Sequence, residues 1–511
     1  MTTPTIADLL APLADTESSG VWFEGEFTSW RDHLAQARVW SRAVRARLDP
    51  DRPPHVAVLL DNVPEFGLLL CAAALDGLVL VGLNTTRRGA ALHRDIVTAD
   101  CGLVLHSPDT AHLLADIDLG PSVPVIDISS PAWAHRLRQA ADTPATRGGV
   151  APTPTDLLML IFTSGTSGEP KAVRCDHSKF AGAGVMLADR FDLGHDDVVY
   201  LSMPMFHSNA IIAGWSVAVA AGASIALRRR FSASNFLDDV RRYGVTYANY
   251  VGKPLSYILA TPERTDDAEN PLRVVYGNEA SPRDIVEFER RFGVRVVDGF
   301  GSTEGGVAIA RTPDTPPEAL GPLVAPVAIV DVETGTPCGT DEIGEIVNTS
   351  GPGLFTGYHG DRDASDERMR GGIYHTGDLG WVDAAGYIHF AGRLGDWVRV
   401  DGENLATGPI ERILLRHDRI RLAAVYGVGA DVGDEIVASL VGDALDPDDL
   451  AEFLASQTDL GPKQWPHHVC VVDELPRTAT FKVLKRELAG AAIDPTWTLD
   501  RGTRRYHPSG G

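Results

Sequence analysis

From about residue 55 onward, short runs of continuously apolar residues alternate with helical patterns. No other feature of the chain limits its fold as much. HVAVLL (55–60), LVLVGLN (78–84), CGLVLHS (101–107), VPVIDI (123–128) and LLMLIF (157–162) read as strands. A strand with one wet face alternates apolar and polar residues. These runs do not, which fits parallel strands covered on both faces. Between the first two lies PEFGLLLCAAALDG (64–77), a helix closed by Gly77. Strand and helix in alternation imply an α/β architecture.

The pattern changes along the chain. Residues 141–156 are rich in Pro, Thr and Gly and read as a loop or linker. A second α/β stretch runs from about 198 to 300, which predicts two α/β subdomains. Residues 312–353 are dense in Pro and Gly, with short strands such as EIGEIVN (342–348), and predict a small β-rich subdomain. After Arg393 the pattern becomes compact α+β. The predicted organisation is a large N-terminal domain, 1–392, and a smaller C-terminal domain, 393–511. At roughly 150 residues per domain or subdomain, 511 residues suit this division.

Charge and composition remove other classes. The net charge of −23 argues against general binding to nucleic acid or anionic lipid, which needs a positive footprint. It leaves a polyphosphate ligand open, because backbone N–H groups and Mg²⁺ serve such a ligand inside an acidic protein. Five widely spaced cysteines, Cys71, Cys101, Cys175, Cys338 and Cys470, form no C-x-x-C pair and predict reduced thiols that mostly fill core space. The N-terminal residues lack the basic start and apolar run of a signal peptide, so a cytoplasmic location is expected. Phe66–Leu83 and Ile211–Leu227 are apolar but broken by Asp76 or by Gly and Ser, and each reads as a buried helix running into a buried strand.

Five segments carry chemistry. The first is Thr163-Ser164-Gly165-Thr166-Ser167-Gly168-Glu169-Pro170-Lys171, after a strand. Its hydroxyls and backbone N–H groups can cradle phosphate oxygens. It is not a Walker A loop, because Lys does not directly follow the second glycine at the required spacing. The second is Asp298-Gly299-Phe300-Gly301-Ser302-Thr303-Glu304, where an aromatic between glycines can stack on a base. Glu304 suits Mg²⁺ on a triphosphate. The third, Tyr374-His375-Thr376-Gly377-Asp378, places a carboxylate after a Thr-Gly turn, in reach of two ribose hydroxyls. The fourth begins Gly392-Arg393-Leu394-Gly395. The fifth, Pro476-Arg477-Thr478-Ala479-Thr480-Phe481-Lys482, ends on a lysine. Taken singly, each also fits a commonplace turn or a solvated surface.

In this order and spacing, the segments resemble the adenylate-forming superfamily of acyl-CoA synthetases, peptide-synthetase adenylation domains and luciferases. The resemblance covers about residues 20 to 490. Residues 231–255, 400–414 and 478–488 look most like the fatty-acid-transport-protein and very-long-chain acyl-CoA synthetase branch, in its soluble actinobacterial members. By this resemblance Thr163, Ser164, Gly165, Thr166, Gly168 and Lys171 lie in the loop over the β- and γ-phosphates. Phe300 packs on adenine, flanked by Gly301 and Ser302. Thr303 meets the α-phosphate, and Glu304, with Thr163, holds Mg²⁺. Asp378 and Arg393 bind ribose. Gly277, Asn278 and Glu279 line the adenine and acyl pockets. Lys482 is the catalytic lysine, His207 the gate near the acyl carbonyl, and Gly395 the hinge of a mobile C-terminal domain.

The implied reaction is ATP- and Mg²⁺-dependent. A carboxylate attacks the α-phosphorus, pyrophosphate leaves, and CoA accepts the acyl group. Amino-acid-activating relatives place Asp after the aromatic of the His207 motif to hold an α-ammonium. His207 stands there instead, so a fatty or other non-amino acid is expected. The alternatives share the adenylation step: delivery to a carrier protein or an amine, or a diazotase that activates nitrite for an aryl amine. A non-catalytic binding scaffold is disfavoured because Thr163, Glu304, Asp378, Arg393 and Lys482 are all present. Homodimers are common among such relatives.

Overall fold

A computed structural model of the protein describes residues 3–143, 151–163, 170–394, 397–400, 403–430, 433–478 and 483–509. The chain divides into two compact units: Met1–Arg311 with Gly351–Gly371, and Thr312–Ser350 with Gly372–Gly511.

The first unit holds two large sheets. One runs in the order Val125–Asp127, Leu103–His106, His55–Leu59, Val79–Gly82, Leu157–Thr163, Lys171–Asp176. Its neighbours are parallel except the last pair, which is antiparallel. The other orders Ala308–Ala310, Arg295–Gly301, Val274–Asn278, Tyr247–Val251, Val198–Leu201, Ser224–Leu227, Gly20–Phe23, Glu26–Ser29. It is parallel inside and antiparallel at both ends.

The expectation of strands covered on both faces fails for Val125–Asp127, an edge strand with no buried position, because only one side of it has a neighbouring strand, but it holds farther in. His55–Leu59, Val79–Gly82 and Ser224–Leu227 are buried at every position, as strands covered on both faces must be. The apolar stretches Phe66–Leu83 and Ile211–Leu227 both resolve into helix followed by strand. Helix Pro64–Asp76 stops at Gly77, whose φ of 68° is left-handed and suits a residue without Cβ. In the second stretch a π-helical turn, Ile211–Trp215, leads into helix Ser216–Ala221 and then strand Ser224–Leu227. Among the described residues, no helix is long and apolar enough to cross a membrane. Cys71, Cys101, Cys175 and Cys470 are buried, and all five cysteines are free thiols. Burial raises the pKa of the Cys71 and Cys101 thiols, which suits core packing rather than reactivity.

In the second unit, strands Gly321–Pro322, Tyr387–Arg393, Tyr374–Val382, Gly344–Asn348 and Val327–Val330 form an antiparallel sheet in that order. Farther along lie hairpin Trp397–Val400/Glu403–Ala406 and helices Thr407–Leu414 and Pro447–Ser456. A second five-stranded sheet runs from Ile420–Gly429 to Arg505–Pro508. Its core gathers Ile410, Leu414, Val425, Ile436, Leu450 and Trp465.

Candidate active site

In the first unit, strand Leu157–Thr163 ends on Thr163, which pairs in register with Lys171 on the antiparallel neighbour. Ser164, Gly165, Thr166 and Gly168 lie outside the described residues. The Lys171 ammonium sits 5.3 Å from the centre of the Tyr358 ring. Strand Arg295–Gly301 runs through Asp298, Phe300 and Gly301. The segment read as a Gly-rich turn is therefore strand up to Gly301, and the turn itself comes after it. Gly305 closes that turn by donating to the Ser302 carbonyl at 3.1 Å, with φ of 72°.

Thr303 and Glu304 ride on this turn and are buried. The Glu304 Oε1 accepts from the Tyr358 hydroxyl at 3.0 Å and from Thr163 Oγ1 at 3.3 Å. Thr303 Oγ1 lies 2.7 Å from Ser208 Oγ, one residue beyond His207. His207 caps the short helix Ser208–Ala210, and its ring centre is 5.0 Å from that of Phe206. Thr163, Glu304 and the His207 segment, which sequence selected separately, thus belong to one unit. Tyr358 and Ser208 were not singled out from sequence. Tyr358 lies in Thr356-Gly357-Tyr358, an ordinary turn-like string with no distinguishing spacing.

Asn278 ends strand Val274–Asn278 and donates through Nδ2 to the Gly299 carbonyl at 2.6 Å. A Cβ at Gly277 would come 2.2 Å from the Tyr250 carbonyl oxygen, so packing of this strand on its neighbour requires glycine. Glu279 is left-handed at φ 67°, a sparsely populated conformation for a side chain of this size. Nearby, Asp298 Oδ1 accepts from the Tyr250 hydroxyl at 2.5 Å and from the Ala280 N–H at 3.3 Å. Burial, outweighing these hydrogen bonds, pushes the Asp298 carboxyl up to about 7.

The oxygens around Glu304 suit Mg²⁺, a hard cation that takes one or two carboxylates and completes its shell with phosphate and water. Among the described residues, no group of three or more His, Cys, Asp or Glu could form a cage built from protein alone. The donor chemistry of Glu304 fits a Mg²⁺ ion carried on a polyphosphate.

In the second unit, Asp378 and Arg393 are paired in register on adjacent antiparallel strands, with Arg393 Nε 3.1 Å from Asp378 Oδ1. The segment read as a Thr-Gly turn is strand Tyr374–Val382, kinked by Gly377 at φ 70° and irregular beside Leu379. The kink is held from below. Buried Glu345 accepts the Gly377 N–H on Oε1 at 2.8 Å, and its Oε2 is 2.7 Å from His375 Nδ1. Thr376 Oγ1 accepts the Asp378 N–H at 2.9 Å and donates to the Ile346 carbonyl at 2.6 Å. Gly395 and Lys482 lie outside the described residues. Lys485, three positions after Lys482, is tied down by Glu411 at 2.8 Å and Thr407 at 3.1 Å.

Residues 14–359 match the AMP-binding enzyme family, and residues 409–482 match the C-terminal domain of AMP-binding enzymes. The chain belongs to the AMP-binding enzyme family. Over 503 residues it is 56% identical to the medium/long-chain-fatty-acid–CoA ligase of Mycobacterium marinum, covering 97% of this chain and 98% of that one. It is 41% identical over 527 residues to the steroid-22-oyl-CoA synthetase of Rhodococcus jostii, covering 98% and 94%. Among solved structures, ATP-bound MatB from Rhodopseudomonas palustris superposes with a TM-score of 0.85 at 26% identity, over 96% of this chain and 99% of that one.

Proposed function

We propose that the protein is an ATP- and Mg²⁺-dependent carboxylic acid–CoA ligase for medium- to long-chain fatty acids. The substrate class follows the name of the relative that is 56% identical over nearly the whole of both chains. The observation that carries the chemistry is the Glu304 carboxylate, buried and held by the Thr163 and Tyr358 hydroxyls on the turn after a strand.

In the first half-reaction a substrate carboxylate oxygen attacks the α-phosphorus and pyrophosphate leaves. A carboxylic acid with pKa near about 4 is already ionised at neutral pH, so no base is required. The obstacle is the meeting of two anions. Bound at Glu304 and Thr163, Mg²⁺ would supply positive charge against the phosphates. Ser164, Gly165, Thr166, Gly168 and Lys171 donate to the β- and γ-phosphates, and Thr303 to the α-phosphate. Phe300 stacks on adenine beside Gly277, Asn278, Glu279, Gly301 and Ser302, while Asp378 and Arg393 hold ribose. Lys482 offsets charge where it develops between carboxylate and α-phosphate. In the second half-reaction the CoA thiol attacks the acyl carbonyl past His207 and AMP leaves. Rotation of domain 393–511 about Gly395, whose φ/ψ freedom suits a hinge, separates the two steps. The proposal includes a cytoplasmic location and a homodimer.

The test is product analysis by mass spectrometry. Purified protein is incubated with ATP, Mg²⁺, and either a panel of fatty and aryl acids or nitrite with aryl amines, with and without CoA. Acyl-CoA that forms only with CoA is the expected result and identifies the acid by mass. AMP and pyrophosphate formed only with nitrite, together with a diazo product and indifference to CoA, would replace the acceptor and leave the adenylation site standing.

A further inference from the structure

Lys179 is a buried lysine that the chemistry above does not use. It sits in helix His177–Arg190, whose capping residue Asp176 accepts the Lys179 backbone N–H at 2.9 Å. The residue is 1% exposed. Taking an ammonium out of water is costly unless its hydrogens are accepted. Here Nζ, which has three donors, meets three acceptors: the main-chain carbonyls of Arg174 at 3.2 Å, Thr303 at 3.2 Å and Glu304 at 3.0 Å. None of the three is a carboxylate, so the charge is satisfied entirely by peptide dipoles.

Two of these carbonyls belong to consecutive residues. A peptide unit is planar, so gripping the Thr303 carbonyl orients the plane before the Glu304 Cα, and gripping the Glu304 carbonyl orients the plane after it. Together they set the direction in which the Glu304 side chain leaves the backbone. That side chain then reaches Thr163 and Tyr358. The same grip turns the Glu304 N–H to the side away from Lys179, since C=O and N–H point oppositely across a trans peptide. Gly305, next in the chain, packs close to the lysine: a Cβ there would lie 3.6 Å from Lys179 Cε.

We propose that Lys179 is the positioning residue for Glu304, holding the turn so that the carboxylate is presented to the metal on the nucleotide. This rests on the reading of Glu304 as the Mg²⁺ carboxylate. It adds a basic residue from helix His177–Arg190 to that site, one that acts through the backbone without touching ligand.

The test separates the two ideas. ATP affinity is measured by calorimetry in Mg²⁺ and in EDTA for wild type, Lys179→Met, Glu304→Gln and the double variant. The readout is the factor by which Mg²⁺ tightens ATP binding, alongside the KM for the fatty acid. Loss of charge-assisted hydrogen bonds predicts that Lys179→Met reduces the Mg²⁺ factor about 10-fold while the fatty-acid KM stays within about 2-fold. The double variant is then no worse than Glu304→Gln, because both substitutions act at one point. A folded Lys179→Met protein that keeps the wild-type factor while Glu304→Gln loses it overturns the positioning role alone. If Glu304→Gln itself keeps the factor, the metal reading of Glu304 falls and the Lys179 proposal with it. Should Lys179→Met fail to fold by circular dichroism, Lys179→Gln, which retains a neutral donor, is judged by the same criterion.

Discussion

Glu304 and Asp378 are both buried carboxylates with proposed roles toward ATP, yet they are held in different ways. Glu304 stands on a turn and depends on distant parts of the chain: Thr163, 141 positions away, and Tyr358, 54 positions away. Asp378 stands on a strand and depends on a neighbour in the same sheet. Arg393 faces it across an antiparallel ladder, and the strand beside it supplies Glu345 to pin the kink. The first carboxylate is an assembly of tertiary contacts, and the second is nearly a property of secondary structure. The difference suits their proposed work. A carboxylate that would hold a metal against charge developing in the reaction must be fixed from several directions, whereas a ribose acceptor needs only the right register.

The comparison makes kinetic predictions, the largest at the reacting end. Glu304→Gln should lower the adenylation rate on the order of 10²–10³-fold, measured by ATP–pyrophosphate exchange. A variant within a few-fold of wild type would remove Glu304 from the reaction. Asp378→Ala, by contrast, should raise the KM for ATP about 10–100-fold and leave kcat within about 3-fold, since it removes binding shared by ground state and transition state. If kcat falls as far as in Glu304→Gln, the two carboxylates do not divide their work in this way.

Tyr358→Phe sharpens the first half of the contrast. It deletes one hydrogen bond to Glu304 and should cost about 5–20-fold in kcat/KM for ATP in steady-state assays. An unaffected variant would mean that the tertiary clamp on Glu304 is redundant.

The smallest effect is one on stability, expected at Asp298, half-buried on its strand outside both clusters. Its carboxyl is pushed up to about 7 by burial, whereas a carboxyl in the unfolded chain releases its proton near about 4. Between these values the folded protein binds more protons than the unfolded chain. The stability from this group is therefore complete below about pH 4 and is lost as pH rises through about 7. Asp298→Asn should flatten the dependence of melting temperature on pH across that window. Thermal melts at several pH values check this, and a parallel decline in both proteins would contradict it.

How far each region was legible from sequence follows the same division. Asp378 and Arg393 stand in short strings with recognisable chemistry, and only the strand kink in place of the expected turn needed the structure. Thr163, Thr303 and Glu304 were also legible as residue types. Their supports were not: Tyr358 stands in a plain turn-like string of sequence, and Lys179 looks like any lysine near the start of an amphipathic helix. No periodicity links 179 to 304, because their contact is made between a helix and a turn 125 positions apart.

The amino-acid sequence by itself determined the α/β plan, because short apolar runs bounded by turn residues alternate with longer helical patterns, and it determined the oxygen and nitrogen chemistry available at each loop. Tertiary structure alone decided which carbonyls a buried ammonium would grip and which hydroxyls would meet Glu304. Apolar burial is read from local pattern, but a hydrogen bond depends on where two remote backbones come to rest, to within a fraction of an ångström.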